Sequence, residues 1–230
     1  MLSHRSTLLR RIIETPGDTV PQRICNLSAA TNMDGVAILL NTDHRLVGTV
    51  ASAGKVGQIL AELELSLGEG PAHQAIAERG MVSADQLLFG SRDRWPVFAE
   101  HAVGAGIEAV FALPLQLGSI MVGVIEFARA MPGSLDSQEL IDLANLSSLA
   151  TSALLLTQAR VSDSETLDLL QVNEPTQLRI HQATGMVSQQ AGVSLADGLA
   201  LMRAYSLAHG ASLSETAKKI VARELRMDES

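Results

Sequence analysis

The sequence predicts an α+β domain with a largely antiparallel sheet, then a long connecting helix, then an all-α three-helix bundle. Three observations carry this. Short apolar runs alternate with helix-spaced segments up to about residue 130. An unbroken helical pattern then begins near Ser134. After Pro175, three short helical segments are separated by Gly-Ser breaks.

Val20–Asn32 has helix-like apolar spacing, GVAILL (35–40) reads as a buried strand, and HRLVGTVASAG (44–54) as its hairpin partner. KVGQILAELELSLGEGPAHQAIAERG reads as a helix, a Gly-Pro turn at 68–71 and a second helix stopped at Gly80. MVSAD is a short strand, and RDRWPVFAEHAVGAG a loop leading into a helix. IEAVFALPLQLGSIMVGVIEFARA is two strands about a turn near Leu117–Gly118. A long helix opened by Ser134 or Asp136 follows and runs on into VSDSETLDLLQVNEP. The order gives an antiparallel sheet with helices on one side. Domain boundaries fall at 1–160 for the α+β domain with its long helix, 161–174 for a linker helix and 175–230 for the bundle.

Pro175 suits the first position of a helix, which runs to about 191 and ends at Gly192. The second helix starts at Ser194 with Asp197 three residues on, and stops before Gly210. The third starts at Ser212 with Glu215 and runs to about 226. Spacing places Ile180, Ala183 and Val187 in the core from the first, Leu195, Leu199, Met202 and Ser206 from the second, and Leu213, Ala217, Ile220 and Val221 from the third.

Hydrophobic residues make up 47% of the 230 residues and aromatics 3%, so the core is aliphatic. A single cysteine, Cys25, rules out an internal disulfide and a cysteine-based zinc site, and suits the cytoplasm. The longest strongly apolar run, LATSALLL, is far short of a membrane span, and no signal peptide is expected. Net charge is −8, which argues against nucleic-acid binding by the whole chain. The distribution is uneven: residues 1–175 hold 11 Lys and Arg against 20 Asp and Glu, and residues 176–230 hold 6 against 5. The last segment is therefore the part suited to a polyanion.

On the third bundle helix, Ser212, Thr216, Lys219, Arg223 and Arg226 fall opposite the apolar stripe, flanked by Lys218. Such a face is either a solvated exterior or a phosphate-contacting surface. Gly185 sits in the middle of the first helix, where glycine costs roughly 1 kcal/mol relative to alanine.

The segments IHQATGMVSQQAGVS and LADGLALMRAYSLAHGASLSETAKKIV resemble the ANTAR domain, a three-helix RNA-binding module of bacterial antitermination regulators. The resemblance spans residues 176–226 and includes the helix breaks. It departs from the family at Thr184, where a lysine is usual, at Gly198-Leu199, where an alanine-aromatic pair is usual, and at Ser206, usually alanine. It implies binding to paired hairpins in mRNA leaders, with Arg179, His181, Gln182, Thr184, Gly185, Arg203, Tyr205, Ser212, Thr216, Lys218, Lys219 and Arg223 as candidate RNA contacts. Two accounts of Gly185 compete: close approach of an RNA loop, and close packing of helices within the bundle. Tyr205 is either a base-stacking residue or a half-buried bundle residue, and Arg203 either an RNA contact or an ion-pair partner.

The segments LGEGPAHQAI, RDRWPVFAEHAVGAGIEAVFALPL and MVGVIEF resemble a GAF sensor domain. The resemblance implies either a small-molecule ligand between the sheet and its covering helices or a role in dimerisation. Trp95, Phe98 and His101 are candidate lining residues, with packing the competing role for the first two. Relatives often carry cysteine where Ala72 stands.

Other chemistries find no support. GAGIEA (104–109) imitates a dinucleotide fingerprint but precedes a strand instead of following one. The histidines show no metal-ligand spacing, and no GxSxG elbow is present. The methionine-sulfoxide reductase activity known among GAF relatives needs a cysteine relay that one cysteine cannot form. The expectation is a non-enzymatic GAF–ANTAR antitermination regulator with no cofactor and no metal, acting away from membranes. It would dimerise through the GAF and connecting helices. The alternative is a protein-interaction regulator with a degenerate ANTAR tail.

Overall fold

The computed structural model describes residues 11–17, 19–29, 32–42, 45–91, 93–159 and 175–227. The expected linker at 161–174 lies outside these residues. The chain falls into two compact units, one containing the sheet and one containing the last three helices.

In the first unit the elements run α1 (Val20–Ala29), β1 (Gly35–Thr42), β2 (Arg45–Ala53), α2 (Gly54–Leu67), α3 (Pro71–Glu78), β3 (Val82–Ala84), α4 (Pro96–Gly104), β4 (Ala109–Leu117), β5 (Ile120–Arg129) and α5 (Ser137–Ala159). The strands form one antiparallel sheet in the order β2-β1-β5-β4-β3. Val36 and Ile38 on β1 pair with Phe127 and Ile125 on β5, which pair with Phe111 and Leu113 on β4. This row packs on Ile24 and Leu27 of α1 and on Leu143, Leu146, Ala150 and Leu154 of α5.

Helices cover both faces of the sheet, not one face as the element order suggests. The alternate row (Ala37, Leu39, Ala112, Val124, Glu126, Ala128) is equally buried. It lies under α3, which packs on β4 and β5. The reason is written in the strands. GVAILL and AVFALPL are nearly continuous apolar runs, the pattern of strands enclosed on both faces. The first turn of α2 meets β1 backbone to backbone. A methyl group on Gly57 would overlap Val36, and one on Gly35 would overlap the Gly57 amide.

Asp136, not Ser134, caps α5. Its carboxylate accepts from the Glu139 N–H at 2.8 Å, and Glu139 returns the bond to the Asp136 N–H at 2.9 Å. Glu139 also pairs with Arg129 at the end of β5. These bonds, the one from Asp136 first, hold the Glu139 carboxyl below its ordinary value. Contrary to the run-length expectation, Ser137–Leu156 is long and apolar enough to cross a membrane by length and composition alone. Its Leu143, Leu146 and Leu154 side packs into the sheet core.

The second unit holds α6 (Pro175–Ala191), α7 (Leu195–Ala208) and α8 (Leu213–Val221). Ala183, Val187, Met202, Leu213, Ala217 and Ile220 form its core, with Ile180, Leu199 and Val221 packed against them. Ser194 accepts from the Asp197 N–H, and Ser212 and Glu215 close a capping box. Leu195 shares the core stripe by angle, but as the first helical residue it has no earlier turn beside it and is 62% exposed. Helix α8 stops at Val221, short of the expected 226. Arg223 turns left-handed (φ 61), and Leu225 and Met227 fold back onto the core.

Gly57→Ala is expected to destabilise the chain by about 3 kcal/mol in denaturant unfolding, because backbone on both sides must move. Gly104→Ala, at a position with nothing near the added methyl, is expected to be neutral or to gain up to about 1 kcal/mol.

Candidate functional site

A polar arrangement surrounds the LGEGP turn between α2 and α3. Gly68 caps α2 in the left-handed region (φ 71), its N–H donating to the Glu64 carbonyl at 3.2 Å. Gly70 (φ 141) precedes Pro71, the first residue of α3. Between them, one Glu69 carboxylate oxygen accepts from the Val97 and Phe98 N–H groups at 2.8 and 2.9 Å and so caps α4. The turn thus fastens three helices.

Glu64, one turn back on α2, points into this corner and is fully buried. Its Oε1 accepts from the Ala72 N–H at 2.9 Å, in the first turn of α3, where the helix dipole favours negative charge. The His73 ring bonds the Glu64 carbonyl at 2.9 Å, and its Nε2 lies 3.9 Å from Glu64 Oε2. Any side chain at Gly70 would collide with the Glu64 carboxyl.

Glu126 meets Glu64 from the sheet. It lies mid-β5 and its register neighbours are Ala37 and Ala112. It too is fully buried. The two carboxyls act directly on each other's protonation. Among the described residues, Glu64 Oε2 and both Glu126 oxygens find no donor. Two ionised carboxylates so placed would repel each other, which favours a form of the pair that carries a proton. Burial pushes the Glu64 carboxyl up to about 8. Burial first, then the Glu64 charge, pushes Glu126 well above the usual carboxylate range.

This pair is absent from the sequence reading, although a signal existed. Glu126 is the one acidic residue in the strand run IMVGVIEFAR. An acid inside an otherwise continuous apolar strand is either misassigned or buried for a reason.

Of the expected pocket residues, two are buried in mutual contact and one is exposed. Trp95 and Phe98 are buried and pack edge-to-face, 6.2 Å between centroids at 79°. Arg94 lies over the Trp95 ring at 4.3 Å. His101 is exposed, its Nδ1 bonded to the Val97 carbonyl on its own helix. Trp95 and Phe98 thus pack in the interior, and His101 stands on the outer side of α4.

In the second unit, Arg179, His181 and Gln182 are exposed on α6, and Lys218, Lys219 and Arg223 on and just after α8. Nothing lies within 4 Å of a methyl group built on Gly185. The tight helix contact belongs to Gly198, where the same methyl would sit 3.2 Å from the Thr184 carbonyl and the Ser188 amide. Close packing within the bundle therefore does not account for Gly185. Two expected surface contacts are interior instead. Thr216 is 1% exposed, and its hydroxyl is hydrogen-bonded to that of Ser206 at 2.7 Å. Thr184 is buried and donates to the Ile180 carbonyl at 2.7 Å. The outer face of α8 is accordingly Glu215, Lys218, Lys219 and Ala222, rotated from the expected one. Ser212 is half-buried and occupied as a cap. Arg203 is half-buried. Tyr205, half-buried, stacks on His209 with centroids 3.9 Å apart and 19° between planes.

No protein-family model and no curated protein matches the chain. Solved structures do. The GAF domain of an Acinetobacter phosphoenolpyruvate-protein phosphotransferase superposes with TM-score 0.52 at 16% identity, covering 70% of this chain and 98% of that one. The GAF domain of a Coxiella burnetii phosphoenolpyruvate-protein phosphotransferase gives TM-score 0.50 at 11% identity over 69% and 98%. A free methionine-R-sulfoxide reductase from Neisseria meningitidis is also similar, with TM-score 0.46 at 17% identity over 60% and 80%. At such identities the likeness is one of fold: the sheet-bearing unit has the GAF fold.

Glu69→Ala leaves two amides at the start of α4 uncapped. It is expected to cost about 1–2 kcal/mol, read as a lower midpoint in thermal or denaturant unfolding.

Proposed function

We propose that the chain is a non-enzymatic regulator in which a GAF-fold sensor unit is joined to an RNA-reading bundle of ANTAR type. The bundle binds paired hairpins in nascent mRNA and so controls transcription antitermination. The observation that carries this is Gly185. A glycine in mid-helix sacrifices stability, and nothing in the bundle requires it. Its neighbours on the exposed side of α6 are His181, Gln182 and Gln189, all able to hydrogen-bond, and none is bulky and apolar. A bare helix patch ringed by polar groups suits the close approach of a nucleic-acid loop. Lys218 and Lys219 supply phosphate-contacting charge from α8, and the Tyr205–His209 stack offers an aromatic platform.

Thiol chemistry of the kind a reductase needs is opposed by the environment of Cys25. The side chain is fully buried, and that burial pushes its thiol pKa up.

The reading includes a homodimer. On α5, Ile141, Ser148, Ser152 and Leu156 are exposed at alternating heptad-like intervals, with Asn145 half-exposed between them. No charged side chain interrupts the helix after Asp142. A second copy of α5 fits this uncharged seam, and a dimer presents two bundles to two hairpins at high effective concentration.

Titration of the full chain with an RNA of two adjacent hairpins tests the reading, with a loop-mutated RNA and duplex DNA as controls. Specific binding lost on loop mutation supports it. Equal binding of all three, or of none, contradicts it. Gly185→Ala is expected to raise helix stability by up to about 1 kcal/mol while weakening RNA binding, an opposition that a purely structural glycine does not produce. Lys218→Ala and Lys219→Ala are each expected to weaken binding and to reduce the slope of log affinity against log salt by about 1.

A further inference from the structure

The Glu64–Glu126 contact joins three elements through side chains that have no other partner for part of their bonding capacity. Glu64 belongs to α2, its Oε1 is held by the amide of Ala72 on α3, and Glu126 rises from the central strand β5. Three of the four carboxyl oxygens have no donor among the described residues, and both side chains are completely removed from water. A hydrogen that the carboxyls carry themselves satisfies such a contact. Lifting α2 and α3 from β5 would hydrate the two acids and let them ionise. We propose that this corner of the GAF-fold unit is a proton-fastened clamp: α2 and α3 are held on β5 by a protonated Glu64–Glu126 contact, and opening the corner releases the proton, so that the unit responds to pH.

The surroundings set the sign. From α3, the His73 ring lies 3.9 Å from Glu64 Oε2. From the turn, Glu69 adds a repulsive charge that raises Glu64. On the sheet, the flanking residues of β1 and β4 are Ala37 and Ala112 and bring no charge. The backbone amides of Ala72 and His73 favour the ionised form of Glu64, but less than burial disfavours it. A carboxyl raised from 4.5 to about 8 in the closed state contributes stability that is complete below about 4.5 and is lost progressively up to about 8. The clamp therefore weakens as pH rises through neutrality.

The test is hydrogen exchange of the full chain at several pH values between 5 and 8, about the window in which raised carboxyls exert linkage. Protection of the amides of α3, Ala72 above all, is compared between the natural chain and Glu126→Gln. The amide of glutamine donates permanently to Glu64, so the contact survives without a titrating proton. Beyond the intrinsic pH dependence shared by both proteins, opening in the natural chain is expected to rise by at least about tenfold per pH unit, while Glu126→Gln, which keeps only one of the two buried acids, rises less steeply. Glu64→Gln, which keeps an acceptor for Ala72, is expected to flatten the profile likewise, and gives a second reading if one variant folds poorly. Parallel profiles in the natural chain and in the variant or variants that fold would overturn the clamp. So would the lack of an infrared carbonyl band of protonated carboxyl groups in the natural chain at neutral pH.

Discussion

Everything around the LGEGP turn depends on the need to keep two carboxyl groups dry. Glu64 and Glu126 lie, both fully buried, in the layer between β5 and the α2–α3 corner. The rest of the corner follows from this constraint. Gly70 must lack a side chain because the Glu64 carboxyl occupies that space. Pro71 starts α3 where its first-turn amides can meet the acid. Ala37 and Ala112 flank Glu126 with small side chains, and Gly35 and Gly57 bring α2 down to the sheet backbone. A more conventional apolar pair would fill the same volume and be easier to bury. Keeping two acids there makes the packing of this corner a function of protonation.

The bundle shows the converse choice. Its interior polar groups are satisfied inside it: Ser206 bonds the Met202 carbonyl and the Thr216 hydroxyl, and Thr184 bonds the Ile180 carbonyl. Such hydroxyls are structural and leave little for a ligand. Exposed instead are His181, Gln182 and Gln189 around Gly185 on α6 and the lysines of α8. The functional argument for RNA rests on these, not on the buried threonines.

Much of this was legible in the sequence. Element order, the hairpins, the Asp136, Ser194 and Ser212 caps and the glycine stops follow from local chemistry, since caps and periodicity are short-range signals. What spacing could not give was rotation and layer. Thr216 sits one step around the wheel from the solvent face, and its hydroxyl is absorbed by a residue ten positions away on another helix. The second helical layer was hidden because element order alone does not say which face a helix covers. The uninterrupted apolar strands did carry that information. Trp95 and Phe98 attracted attention as aromatics, while Glu126, the residue that breaks the apolar rule of its strand, marks the interior site.

The most direct test of the central constraint is side-chain carboxyl NMR of isotope-labelled glutamates, with Glu64 and Glu126 assigned through the two glutamine variants and followed across pH. The account predicts that at least one of the two signals stays at its protonated position through neutral pH. If both signals move together near the ordinary glutamate value of 4.5, the pair is hydrated and ionised, and the account of this corner is contradicted.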